Sequence, residues 1–107
     1  MRVIFHPEFS PDIRRFEARY SQVSGGLAIR FRNEVLEAIK AIKSSPTSSG
    51  HFLTTVAARS DLRRRNLASF PFFVLYAFTP EELYFGSVIP SRSDPLTWLA
   101  RFTGEQQ

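Results

Sequence analysis

Cysteine is absent from this 107-residue chain, and histidine (two residues), methionine (one) and tryptophan (one) are scarce. Without thiols there is no disulfide framework and no thiolate metal site. No grouping of residues implies a metal or any other cofactor. No stretch approaches the roughly 18 consecutive apolar residues that cross a bilayer, which argues against a membrane partner. The N-terminal run MRVIFHPEF lacks the charged, apolar and small-residue order of a secretory signal, so the expected compartment is the cytoplasm. There are no internal repeats and no second core, so residues 1–107 are expected to form a single domain.

What the chain does have is phenylalanine and arginine. With 43% apolar residues and 11 phenylalanines, it carries enough apolar surface to fold without staples. The formal charge is +4 and the pI is about 10.1. Twelve of the 14 basic residues are arginine. Guanidinium forks pair with phosphates and carboxylates, so this balance points to nucleic acid or to an acidic protein partner.

Taken in order, Arg2 to Phe5 alternates as a strand that His6-Pro7 ends. Ser10-Pro11-Asp12 reads as a helix start, with serine as the cap and proline at the first helical position. Ile13, Phe16, Tyr20 and Val23 follow at helical spacing. Ser24-Gly25-Gly26 suits the turn of a helical hairpin. Leu27, Phe31, Val35, Ala38, Ile39 and Ile42 then form a second apolar stripe, stopped at Ser44-Ser45-Pro46. Thr47 to Ser60, which includes His51, reads as a surface loop.

The stretch from Arg63 to Trp98 organises the rest. Leu62 to Leu67 is a strand whose alternation puts Arg63 and Arg65 on one face and Arg64 on the other. Phe70-Pro71 turns the chain into Phe72 to Phe78, which is apolar on both faces as a central strand is. Thr79 to Glu82 is a polar hairpin turn, and Leu83 to Ile89 returns, with Gly86 marking a bulge or a close approach. Asp94-Pro95 caps a short helix carrying Trp98, Leu99 and Phe102. The expected fold is α+β: an N-terminal strand, a helical hairpin packed on one face of a mainly antiparallel four-stranded sheet, and a short C-terminal helix.

At this point specific pieces of the chain resemble the RelE/ParE superfamily, the toxins of bacterial type II toxin–antitoxin systems. His6-Pro7-Glu8 resembles its strand-end motif. Tyr20, Gly26-Leu27-Ala28 and Phe31, with Ile39, Ile42 and Pro46 later, resemble its helical hairpin. Arg64-Arg65, Phe70-Pro71-Phe72, Val74 and Tyr76 resemble its arginine strand and central strand, and Val88, Arg92, Asp94-Pro95, Trp98 and Arg101 its C-terminal signature. The resemblance covers almost the whole chain.

It implies an antitoxin partner that wraps the toxin, here over Phe16 and Tyr20 of the first helix and Phe72 and Val74 of the central strand. It also implies binding of operator DNA only through the antitoxin complex. ParE-like members inhibit DNA gyrase, whereas RelE-like members cut ribosome-bound messenger RNA. Arg63, Arg64, Arg65, Arg92 and Trp98 are the candidates for contact with the target.

Metal-free RNA cleavage needs a base, cations for the phosphate and an acid. Arg65 and Arg92 suit the cationic role alone, because a guanidinium keeps its proton near neutral pH. His51 is the candidate base, with His6, Tyr76 and Tyr84 as further proton-transfer groups. Pro90-Ser91 stands where cleaving members often carry histidine or tyrosine, which favours gyrase inhibition. Three classes of function follow: a gyrase-binding toxin, a ribosome-dependent endoribonuclease, and a non-toxic binding module of the same fold.

Overall fold

The computed structural model describes residues 1–48, 50–53 and 61–93, and of residues 50–53 the backbone. The C-terminal helix, Asp94, Trp98 and Arg101 therefore lie outside the described residues. In chain order the elements are β1 (Arg2–Phe5), α1 (Phe9–Ser21), α2 (Gly25–Ser44), β2 (Gly50–Leu53), β3 (Asp61–Asn66), β4 (Phe72–Phe78) and β5 (Glu82–Pro90). They form the expected α+β arrangement, with one strand more than the sequence pattern predicts. β2 falls in the segment read as a loop; four residues are too few for an alternation to declare itself.

The sheet has five strands in the order β1-β5-β4-β3-β2. Only β1 breaks the antiparallel pattern, running parallel to β5 with Arg2 opposite Glu82 and Phe5 opposite Phe85. The chain leaves one edge of the sheet after β1 and re-enters it at the other edge in β2. The two helices make that crossing, and their apolar stripes cover one face of the sheet.

Helix α1 begins earlier than its proline suggests. The first helical residue is Phe9, after Glu8. His6 fastens the entry instead: its Nδ1 accepts from the Glu8 N–H at 3.0 Å, and its carbonyl accepts from the Phe9 N–H at 2.9 Å. Pro11 at the third position costs nothing, because no N–H in the first turn has a helical acceptor. Val23, expected on the apolar stripe, lies beyond the helix and is 74% exposed. Helix α2 begins at Gly25, inside the stretch expected as the turn, and Ser24 caps it, with Oγ accepting from the Leu27 N–H at 3.0 Å.

The stripe of α2 packs an aromatic cluster against the sheet. The Phe31 ring lies 5.0 Å from Phe72, 5.3 Å from Tyr20 and 5.4 Å from Phe70, centroid to centroid. Most of these contacts are edge-to-face, the arrangement that ring quadrupoles favour. A second buried cluster, Phe73, Leu75 and Ile89, occupies the opposite face of the sheet, so β4 is buried on both faces.

Gly86 is the bulge its position suggested. Tyr76 pairs with Phe85 and Leu75 with Ser87, leaving Gly86 as an extra residue in β5. The insertion lets Phe85 and Val88, three apart, both enter the helix-side core. It also brings Ser87 to Asp12 of α1, whose Oδ2 accepts from Ser87 Oγ at 2.9 Å, with both residues essentially inaccessible to solvent.

Candidate functional site

Register on β4 separates the three consecutive arginines. Arg63 pairs with Tyr76 and Arg65 with Val74, on the helix side, while Arg64 pairs with Leu75 on the opposite face. That separation gives each guanidinium a different environment.

Arg63 is turned inward, its side chain 12% exposed. Its Nη1 donates to the Thr47 carbonyl at 2.9 Å and its Nη2 to Asp61 Oδ2 at 3.0 Å. The guanidinium carbon lies 5.4 Å from the Phe78 ring. These contacts tie the turn after α2 to the sheet.

Arg65 lines a groove of about 360 Å³ between α2 and β3, together with Glu34, Glu37 and Asn66. A phosphate entering there meets two carboxylates as well as the guanidinium, so the local field is mixed. Glu34 is fastened above the groove, where its carboxylate accepts from the Ser69 hydroxyl, from the Ser69 N–H at 2.9 Å and from the Phe70 N–H at 3.3 Å. Partial burial pushes the Glu34 carboxyl up, but these donors and the Arg30 guanidinium outweigh it and hold the group below its ordinary value.

Arg64 lies flat on an aromatic ring, its guanidinium carbon 4.3 Å from the Phe73 centroid. Its Nη2 donates to Asn66 Oδ1 at 3.1 Å. Phe73 in turn pairs with Ile89, and Ile89 leads into the turn Pro90–Ser93, closed by the Ser93 N–H donating to the Pro90 carbonyl at 2.9 Å. Arg92 is exposed on that turn. Arg64 and Arg65 both stand on β3 with β4 between them and the Arg92 turn that follows β5, and they differ in the face of the sheet they occupy. Arg64, one of the sequence candidates for target contact, is the arginine of the three that sits over the Phe73 ring. Phe73 falls on the same face of the sheet as Arg64.

The proton-transfer candidates are scattered. Tyr76 is fully buried and its hydroxyl donates to the Pro46 carbonyl at 2.6 Å. His6 is at the end of β1, with β5 and β4 between it and β3. Tyr84 is on β5, opposite Ile4 of β1. His51 stands in β2 in backbone register with Arg63, a strand position where a loop was expected. Toward the Arg92 turn, Tyr20 packs on Phe70 and Phe72, which flank the Pro71 carbonyl that accepts from the Ser91 N–H.

The residues expected to meet a partner are internal. Phe16, Phe72 and Val74 are buried, and Tyr20 packs half-buried against the same core. Periodicity identifies an apolar stripe but not whether it faces the sheet or a second protein, and here the sheet takes it. Of the four, Tyr20 keeps part of its surface open to a partner.

No protein-family model matches the sequence and no curated protein matches it. The fold does have a solved counterpart. A chain from the structure of the chromosomal ParDE TA system from P. aeruginosa superposes with a TM-score of 0.68, covering 84% of this chain and 95% of that one at 14% identity. The two chains share a fold.

Proposed function

We propose that this chain is the toxin of a type II toxin–antitoxin system and that it arrests growth by binding DNA gyrase until an antitoxin neutralises it. The shared fold with a chain of a ParDE system supports the toxin–antitoxin reading. The single observation that favours binding over RNA cleavage is the dispersal of the groups cleavage would need. Arg63 and Tyr76 hold the turn after α2, Arg65 shares its groove with two glutamates, Arg64 lies over Phe73 on the opposite face, and Arg92 is exposed on the turn after β5. Guanidinium groups such as those of Arg64 and Arg92 suit recognition of carboxylates or phosphates on a partner.

The test is a supercoiling assay with purified gyrase, titrated with this chain and repeated with antitoxin. Antitoxin-reversible inhibition near equimolar toxin is the expected result. A folded, growth-arresting protein that leaves supercoiling untouched transfers the reading to ribosome-bound messenger RNA. A folded protein that neither arrests growth nor inhibits supercoiling is a binding module of the same fold.

A further inference from the structure

A second basic surface lies on α1, on the flank turned away from α2. Arg15 and Arg19 stand four residues apart and share that flank. Glu17, which contacts Arg32 of α2 at 3.6 Å, marks the other flank. Both arginines lie over the same ring, each guanidinium carbon 5.5 Å from the Phe16 centroid. Phe16 is 5% exposed and packs edge-on against Phe72, with centroids 4.8 Å apart. Phe72 pairs with Pro90, and the exposed Arg92 follows two residues later. Phe16, Phe72 and Pro90 thus link the α1 arginines to the Arg92 turn.

The stacking prepares these groups for an anion. A guanidinium resting by its face on a ring keeps its N–H edge for hydrogen bonds, and the ring limits the freedom lost on binding. Arg15 spends one amino group on Asp12, at 2.6 Å, and its side chain is still 51% exposed. Among the described residues, neither Arg19 nor Arg92 is ion-paired.

We infer that this flank of α1 binds the phosphate backbone of duplex DNA directly, without an antitoxin. It presents N–H edges over covered rings, with no exposed ring between them for a base to stack on or a protein interface to close around. Phosphates satisfy such a surface; bases and a protein partner do not. The flank of a helix is also convex, which suits the outside of a duplex, whereas single strands are held in grooves. Arg15 and Arg19 are about 6 Å apart along the helix axis, a length over which one DNA strand carries about two phosphates. Backbone contact carries no sequence information, so the binding is sequence-independent. Placing that duplex in the grip of gyrase rests on the function proposed above; the DNA contact itself does not.

The probe is a fluorescein-labelled duplex of about 20 base pairs, titrated with the full chain while anisotropy and backbone amide shifts are read together. Saturable binding is expected, with a Kd of about 1–100 μM near physiological salt and movement of the Arg15, Arg19 and Arg92 amides. Plotted against log salt, the logarithm of the affinity should fall with a slope of about −2 to −3, as for two or three neutralised phosphates. R15A/R19A should flatten that slope by about two and weaken binding about tenfold or more. R19A alone leaves the Asp12 contact in place and should flatten it by about one, so a folding defect at Arg15 does not decide the result. K40A/K43A removes the same charge from exposed lysines of α2 and should change affinity less than about threefold.

Equal losses from the α1 and α2 pairs would overturn the inference, as would no binding up to about 1 mM. Tighter binding of a single-stranded RNA of the same length, or of a polyglutamate peptide of the same charge, would overturn the assignment to duplex DNA. Antitoxin-reversible inhibition of supercoiling is scored separately. Inhibition without DNA binding removes this surface and leaves the gyrase reading standing, whereas DNA binding without inhibition does the reverse.

Discussion

Arg63 and Tyr76, directly opposite one another on β3 and β4, hold two consecutive carbonyls: Arg63 Nη1 binds that of Thr47 and the Tyr76 hydroxyl that of Pro46. A cross-strand pair thereby anchors the end of the helical hairpin to the middle of the sheet. Arg63 comes from the arginine run and Tyr76 from the central strand, and in this chain both have structural work. Tyr76→Phe leaves the Pro46 carbonyl short of a donor and should cost about 1–2 kcal/mol. Arg63→Ala should cost a similar amount, about 1–2 kcal/mol, through lost bonds and packing. Urea midpoints measure both. If Tyr76 were a proton-transfer group, Tyr76→Phe would also abolish growth arrest at temperatures where the variant is folded; arrest is expected to persist.

The contact of Ser87 with Asp12 spans the helix–sheet interface in a site from which water is excluded. Arg15 completes it, with Nη2 donating to Asp12 Oδ1 at 2.6 Å. Ser87→Ala removes one donor and leaves the carboxylate partly satisfied, so a loss of about 1–2 kcal/mol is expected. Asp12→Ala strands the serine hydroxyl and the bulged segment around Gly86, with an expected loss of about 2–3 kcal/mol. Equilibrium unfolding that ranks Asp12→Ala as the milder change would contradict this account.

Glu34 makes stability depend on pH in a defined direction. Its folded-state value lies below its ordinary one, so the contribution is fully present above the unfolded carboxylate value, about 4.3, and fades as pH falls through the lower folded value. At pH 7 Glu34→Ala should cost about 1 kcal/mol, a modest figure because the site is partly open to solvent. The gap between wild type and variant should narrow progressively below about pH 4. Denaturation midpoints from pH 7 down to about 3 follow it, and a gap that widened on acidification would reverse the assignment.

Arg64 and Arg92 are expected to separate function from stability. Arg92 is exposed on its turn, and Arg92→Ala should change stability by no more than about 0.5 kcal/mol. Arg64→Ala forfeits the stacking on Phe73 and should cost about 0.5–1 kcal/mol. The double variant should lose most gyrase inhibition while staying folded at 25 °C. Retained inhibition at wild-type concentrations would remove both arginines from the target interface.

Much of the architecture was legible because periodicity encodes it. The stripe Phe31, Val35, Ala38, Ile39 and Ile42 is buried as spaced, Phe72 to Phe78 is the two-sided central strand, and Gly86 is the bulge. The site was less legible. Alternation correctly divided the arginines between faces, yet it carried no information on which guanidinium would turn inward. Glu34 gave no signal at all, since its partners are backbone groups 35 and 36 residues away.

Sequence alone determined the order and type of the main elements, the turn between the two helices and the faces of β3, because these depend on neighbours within a turn or two of chain. Tertiary structure decided what each face meets. It added β2 to the edge, buried Phe16 and Val74 against each other's elements instead of leaving them for a partner, tied Arg63 to a carbonyl 16 residues away, and left Phe5 and Leu36 exposed. The reason is physical: local preference scales with spacing along the chain, whereas burial and pairing depend on which distant surfaces happen to be brought within a few ångströms.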